Sequence, residues 1–387
     1  MTNVLPTYPR SNLEFTHGKG CHLYDRNGDE YLDFGSGIAV NSLGYSHQYL
    51  NKKLLEQSER LWHVSNIYQI SEQERLAERL CKISFADYVF LCNSGTEAVE
   101  ASIKIARKYY YETLKSKTKN QIISFDGSFH GRTLGSLAAG GPSKLEPFNT
   151  EVSGFRFLDF GNLEKVKETI CEDTAAILIE PIQGEGGIIE ASLEFIKDLR
   201  KLCNENDMLL IFDEVQCGVG RTGKMFAHQW LNVVPDIMTI AKAIGNGFPL
   251  GACLTSEKVG STMDFGSHGS TFGGNPLASA VGNAVLDIML EENFLDNVEK
   301  ISTELFSGLT KIKHEFPDVI ELIRGKGLMI GMKCKIKNTD FVEKARINKL
   351  LTVKASDNVV RLLPPLILSS KECKEGLAKI RSTCEMF

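Results

Sequence analysis

The feature that most limits the fold is a series of short, nearly unbroken apolar runs set between stretches of helical periodicity. They occupy residues 88–92, 121–125, 175–180, 208–213, 237–240 and 250–255. A strand with one wet face alternates apolar and polar residues, whereas a strand that is apolar throughout is covered on both faces. Six such runs separated by helices predict an α/β chain with a mostly parallel sheet covered by helices. Upstream, residues 21–25 and 30–34 read as two short strands joined by the turn-forming Arg26-Asn27-Gly28-Asp29. Beyond about residue 276, long helices surround short strands at 319–323 and 359–363. The expected division is an N-terminal segment 1–55 packing with a small domain, a large domain 56–275, and a smaller α+β domain 276–387.

Composition excludes several classes of function. With 387 residues, 42% hydrophobic and 24% charged, the chain can bury about three quarters of its unfolded surface. It needs no disulfide or metal to hold together. The 10 cysteines are scattered without a C-x-x-C, and the 8 histidines form no H-E-x-x-H, so no metal site is expected and the thiols read as reduced core residues. A net charge of -5 argues against nucleic acid and anionic membranes as partners. No run approaches the ~20 apolar residues of a membrane span, and the N-terminus shows no signal-peptide core. The expected location is the cytoplasm.

Three elements carry chemistry. The apolar run 88–92 leads into Asn93-Ser94-Gly95-Thr96-Glu97 and a helical stretch to about residue 111. Ser94 and Glu97 have capping-box spacing, and a helix N-terminus offers free N–H groups and a positive dipole end to a phosphate. Gly95 permits close approach and Thr96 adds a hydroxyl. An ordinary capped helix would look the same. The run 208–212 ends in Asp213-Glu214, a carboxylate at the end of a buried strand, which needs a partner. The run 237–241 is followed by Lys242 and Gly245-Asn246-Gly247. A lysine in apolar surroundings has a lowered pKa and a nucleophilic amine, as Schiff-base chemistry requires, although a lysine snorkelling from a loop fits the same letters. A phosphate cradle, a carboxylate for a pyridinium nitrogen and a desolvated lysine are together what pyridoxal 5'-phosphate requires.

The segments LCNSGTEAVEASIKIARKY, SFHGRTLGSLAA, IEPIQGEGG, LLIFDEVQCGVGRTGK, PDIMTIAKAIGNGFPLGA and GSHGSTFGGNP, in this order, resemble the class III, or omega, aminotransferases, with the acetylornithine-type enzymes the most similar branch. The resemblance runs from about residue 8 to 365. It implies the type I fold of pyridoxal-phosphate transferases, with Lys242 as the lysine that carries the cofactor and Asp213 as the partner of the ring nitrogen. It implies that Ser94, Gly95 and Thr96 hold the phosphate, that Phe129 and Val215 cover the two ring faces, and that Glu214 and Gln216 belong to the cofactor site. Thr271 resembles a threonine that reaches the phosphate of a neighbouring subunit, which implies a homodimer with shared sites. Arg132 resembles the arginine that binds the distal substrate carboxylate, and Ser270 a substrate contact. Glu185 and Arg361 resemble a gate in which the acid neutralises the arginine until a dicarboxylate arrives.

The implied reaction moves the terminal amine of N2-acetylornithine to 2-oxoglutarate. Ornithine, succinylornithine, N-succinyl-diaminopimelate and 4-aminobutyrate stand as alternative donors, although the aliphatic Gly37-Ile38-Ala39-Val40 leans towards an acylated one. An aminomutase or decarboxylase, or an inactive homologue, stand further off. Asn246 occupies a position where related sequences often carry glycine, and the left-handed backbone expected there is one that asparagine tolerates.

Overall fold

The computed structural model describes residues 3–387. Its centre is a seven-stranded sheet in the spatial order Tyr88–Cys92, Gly251–Thr255, Ile237–Ile240, Leu209–Asp213, Thr174–Ile179, Gln121–Phe125 and Phe155–Leu158. The pairings from Ile237–Ile240 through to Phe155–Leu158 are parallel, whereas Gly251–Thr255 runs antiparallel to both its neighbours. The strands Thr174–Ile179, Leu209–Asp213, Ile237–Ile240 and Gly251–Thr255 are buried at every residue, as apolar runs on both faces require. The edge strand Phe155–Leu158 is the one the apolar runs did not reveal, because it is short, interrupted by the exposed Arg156, and buried only at its last residue.

Helices cover the sheet. Gly95–Leu114 packs against several strands, and Leu193–Glu205 against two of them. The first carries nine buried residues, including Val99, Ile103 and Tyr110. The second buries Phe195, Ile196, Leu199 and Cys203, the i, i+1, i+4 stripe of an amphipathic helix. Ser192 caps its start by accepting from Phe195 N.

The chain ends meet outside this sheet. Phe15–Lys19, His22–Asp25 and Glu30–Asp33 form an antiparallel meander whose last strand pairs in parallel with Leu350–Leu351. The first of these strands lies in a segment that reads as irregular in the sequence. Ile320–Lys326, Met329–Cys334, Val359–Leu362 and Val353–Ala355 make a second four-stranded sheet. One continuous apolar core joins the parts, running from Leu32 and Phe34 through Ile240 and Leu254 to Phe341 and Ile380. All ten cysteines are free, and eight are buried. No helix among the described residues is long and apolar enough to cross a membrane.

Arg221 ties the chain ends to the central sheet. Its side chain is fully buried. It donates to Leu328 O at 3.1 Å, Pro364 O at 2.5 Å and Ser42 Oγ at 3.1 Å. A buried guanidinium held by two carbonyls and a hydroxyl from three distant segments is costly to place and costlier to remove, since its acceptors are then left dry and unpaired. Arg221→Met should therefore destabilise the protein by about 3 kcal/mol or more, read as a lowered thermal midpoint. A midpoint within a degree of the parent would contradict this.

Candidate active site

The carboxyl ends of four strands of the large sheet, Tyr88–Cys92, Gln121–Phe125, Leu209–Asp213 and Ile237–Ile240, deliver residues to one place. In sheets of this kind ligands bind beyond the carboxyl ends of the strands. A cavity of about 360 Å³ there is lined by Ser94, Gly95, Thr96, Phe129, Arg132, Asp213, Val215 and Lys242, with Val40, Asn93, His130 and the segment 247–250 completing the wall. Eight of the residues singled out in the sequence thus share one cavity.

The cradle forms where Tyr88–Cys92 passes into the helix Gly95–Leu114. Ser94 is the N-cap and accepts from Glu97 N, while Glu97 reaches back to Asn93 N at 2.6 Å. The first N–H groups of a helix have no intrahelical acceptor. Any Cβ at Gly95 would lie 2.6 Å from Val215 Cγ1, so only glycine lets the two segments close to this distance. The Thr96 hydroxyl does not serve as an open phosphate donor. It bonds to Ser136 Oγ at 2.7 Å and Thr133 Oγ1 at 3.1 Å, and accepts from Arg132 N at 3.2 Å. Thr133 and Ser136 are in turn fixed by Glu100. The hydroxyl locks the Arg132 turn to the helix and leaves main-chain N–H groups for a phosphate.

Asp213 ends its strand 2% exposed. Oδ1 accepts from Val215 N at 3.0 Å and Thr239 Oγ1 at 3.2 Å, and Oδ2 bonds to His130 Nδ1 at 2.7 Å. These three contacts fix the direction of the carboxylate. His130, which lies inside the Phe129–Arg132 motif, was not singled out in the sequence. The signal available was that a buried acid must have a partner. Its Nε2 is buried and without a hydrogen-bond partner among the described residues.

Lys242 follows the strand Ile237–Ile240 in left-handed backbone, φ 49°, a conformation costing a non-glycine residue about 1–2 kcal/mol. No acid lies within ion-pair distance of its amine among the described residues. Burial, with Arg361 acting in the same direction, lowers its pKa to about 8 against the opposing influence of Glu185, Asp213 and Glu180. The turn behind it survives the asparagine. Asn246 is left-handed, φ 42°, and its side chain accepts from Leu43 N at 2.7 Å and donates to Gly44 O at 3.2 Å.

Beside the cavity Arg361, 1% exposed, pairs through Nη2 with Glu185 Oε1 at 2.8 Å and donates through Nη1 to Gln216 Oε1 at 3.2 Å. Arg132 is exposed, its guanidinium 5.3 Å from the Phe129 ring centre. Three expected residues stand apart. The Glu214 carboxylate points away from the cavity and is consumed by Ala227 N, His228 N and His228 Nδ1. It caps the turn Ala227–Trp230, and Glu214 does not line the cavity. Ser270 reaches the cavity only through Asn93, whose Nδ2 lies 3.4 Å from its Oγ. Thr271 is exposed and does not line the cavity. No cluster of metal-ligating side chains exists among the described residues.

The donors fit pyridoxal 5'-phosphate. There is a helix start against which glycine permits close approach, a fixed carboxylate, an aromatic ring beside the cavity, and an amine that loses its proton readily. Comparison with known proteins agrees. The family Aminotransferase class-III matches residues 6–384. The acetylornithine aminotransferase of Agrobacterium fabrum is 51% identical over 98% of this chain and 95% of its own. The crystal structure of N-acetylornithine aminotransferase from Stenotrophomonas maltophilia superposes with TM-score 0.87 at 38% identity, covering 98% of this chain and 97% of its own. That of ornithine aminotransferase from Toxoplasma gondii gives TM-score 0.94 at 30% identity, over 99% and 93%. The chain belongs to the class III aminotransferases, enzymes that work with pyridoxal phosphate.

Proposed function

We propose that the enzyme transfers the terminal amine of N2-acetylornithine to 2-oxoglutarate, giving N-acetylglutamate 5-semialdehyde and glutamate, as a step of arginine biosynthesis. The observation that carries this reading is the Glu185–Arg361 pair beside Lys242. A buried arginine neutralised by a partly accessible acid suits two substrates that differ by one carboxylate at the reacting end. The donor presents an amine on an apolar stem there, and 2-oxoglutarate presents a carboxylate next to its carbonyl. The acyl group is supported by the relatives' names and by the aliphatic wall at Val40, which leaves room where an aromatic would intrude.

When bound, pyridoxal phosphate supplies an electron-withdrawing ring that stabilises negative charge on the substrate carbon that loses its proton. The remaining work falls to the protein. Lys242 would be the attachment point and, with its amine free, would take a proton from that carbon as base and deliver it to the cofactor as acid. Asp213 would be the partner of the ring nitrogen and would keep it positive. The N–H groups at Gly95 and Thr96 would hold the phosphate, and Phe129 and Val215 would cover the two faces. Arg132 grips the distal carboxylate, and Ser270 helps to line its approach. Glu185 cancels Arg361 while the donor is bound and releases it for 2-oxoglutarate, with Gln216 steadying the guanidinium in both states.

We also propose a homodimer in the cytoplasm. Thr271 lies outside its own cavity. Segments 65–68 and 265–272 are joined by Asn66 Nδ2 donating to Ser270 O at 2.9 Å, and they expose Ile67, Tyr68, Phe265 and Phe272. Apolar groups gathered in this way favour a partner. Thr271 is then free to reach a second copy's phosphate. The unpaired thiols suit a reducing compartment.

Lys242→Ala should abolish turnover and leave the thermal unfolding profile cooperative, since no other group in the cavity can both hold the cofactor and move the proton. Near-normal steady-state glutamate formation would overturn the assignment. Cofactor reloading gives a pH signature. Attachment needs the neutral amine, so reloading of the apoenzyme should accelerate about tenfold per pH unit and level off near pH 8, where the lowered pKa of Lys242 lies. An amine at its ordinary 10.5 would keep accelerating well beyond that point. Glu185→Ala should leave Arg361 bare. Relative to glutamate, the terminal-amine half-reaction should slow by about ten- to a hundredfold, the value of one charged hydrogen bond. Single-turnover absorbance with each donor separately measures this, and equal slowing of both halves would reduce Glu185 to a structural role.

A further inference from the structure

The loop that carries Phe129 and Arg132 and the loop that carries Glu185 leave different strands, yet they are fastened together. Glu180 follows Thr174–Ile179 and is 4% exposed. Its Oε2 accepts from Phe129 N at 3.0 Å, and its Oε1 from Gly184 N at 3.2 Å. Alongside, Gln183 Nε2 donates to Asp126 O at 2.8 Å, and Lys144 Nζ donates to Ser128 O at 2.5 Å. The two backbones are nearly in contact, because a Cβ on Gly186 would lie 2.9 Å from Gly127 O. On the far side a Cβ on Gly184 would lie 2.3 Å from Gln216 Nε2, and Gln216 is the residue that accepts from Arg361. A continuous set of contacts therefore joins the Arg132 turn to the Glu185–Arg361 pair, with Glu180 at its middle.

We infer that Glu180 is a positioning residue that fastens the arginine loop to the gate loop, so that Arg132 and Glu185 are set as one unit and the state of the gate is felt at the distal carboxylate grip. This rests on the roles given above to Arg132 and Glu185. Two converging main-chain donors explain why the residue is an acid. A carboxylate offers two accepting oxygens, whereas a glutamine would turn an N–H towards one of the two donors. The choice is costly. Burial pushes the Glu180 carboxyl up to about 7, against the lowering influence of His130 and the two N–H donors and with Asp213 adding to the rise. A strained acid this close to Lys242 is the mark of a functional site more than of a simple tie.

Glu180→Gln, tested as the loaded full-length enzyme, separates the possibilities. One amide oxygen would have to serve two donors, so main-chain hydrogen exchange in peptides covering 126–132 and 183–187 should rise together, by about threefold or more. In single-turnover assays the change in donor-against-glutamate selectivity caused by Glu185→Ala should shrink from about tenfold or more in the parent to under about threefold in the Glu180→Gln background. An equal effect of Glu185→Ala in both backgrounds would overturn the coupling, and unchanged exchange in either loop would overturn the fastening. If Glu185→Ala alone left selectivity unchanged, the gate reading would fall and the coupling with it, while the exchange data would still decide the fastening. Should Glu180→Gln fail to fold, Gln183→Ala removes the neighbouring tie to Asp126 O without disturbing the buried acid. It should give the same joint rise in exchange at lower amplitude, and no rise would overturn the inference.

Discussion

The structure depends on keeping the amine of Lys242 out of water. An ammonium in such a place costs free energy that no ion pair returns, so the group releases its proton near neutral pH. The fold supplies the setting. Lys242 follows a strand whose every residue is buried, and its left-handed backbone turns it out of the sheet at the carboxyl end, where neighbouring parallel strands deliver Asp213, Glu180 and the Phe129 loop. Mutually parallel strands are what make this convergence possible, because they bring five turns to one edge of the sheet.

Around the amine, charges are placed so that each has a defined partner. Asp213 is held by Val215, Thr239 and His130, which fixes its direction before any ligand arrives. Arg361 is paired with Glu185, and the acid is the more accessible of the two, so the pair can open without exposing the arginine to bulk water. The site thus has a rigid half, built on strand ends and a helix start, and a half that can switch, built on loops. Loops bear such changes because few buried contacts hold them.

Much of this was legible in the sequence. The apolar runs gave six of the seven strands of the large sheet, since double burial leaves an unbroken signature. Phe155–Leu158 escaped because it is short and interrupted by the exposed Arg156, and Phe15–Lys19 because none of its residues is buried. Lys242 and Asp213 stood out for their chemistry at strand ends. Glu180, in the same kind of position, did not, because nothing local shows that two distant N–H groups converge on it. Glu185 and Arg361 meet only through the fold, and resemblance alone had paired them. Glu214 does not line the cavity, since adjacency to Asp213 says nothing of direction, and successive residues past a strand point to opposite sides. Arg221 was not singled out in the polar stretch Arg221-Thr222-Gly223-Lys224, yet it is among the largest fully buried side chains.

The central claim is that one lysine, made reactive by its surroundings, carries the cofactor. Reducing the loaded enzyme with borohydride would fix the cofactor to its amine, and peptide mass spectrometry would locate it. The account predicts a single modified residue, Lys242, at close to one label per chain. A label on any other lysine, or one spread among several, would contradict it.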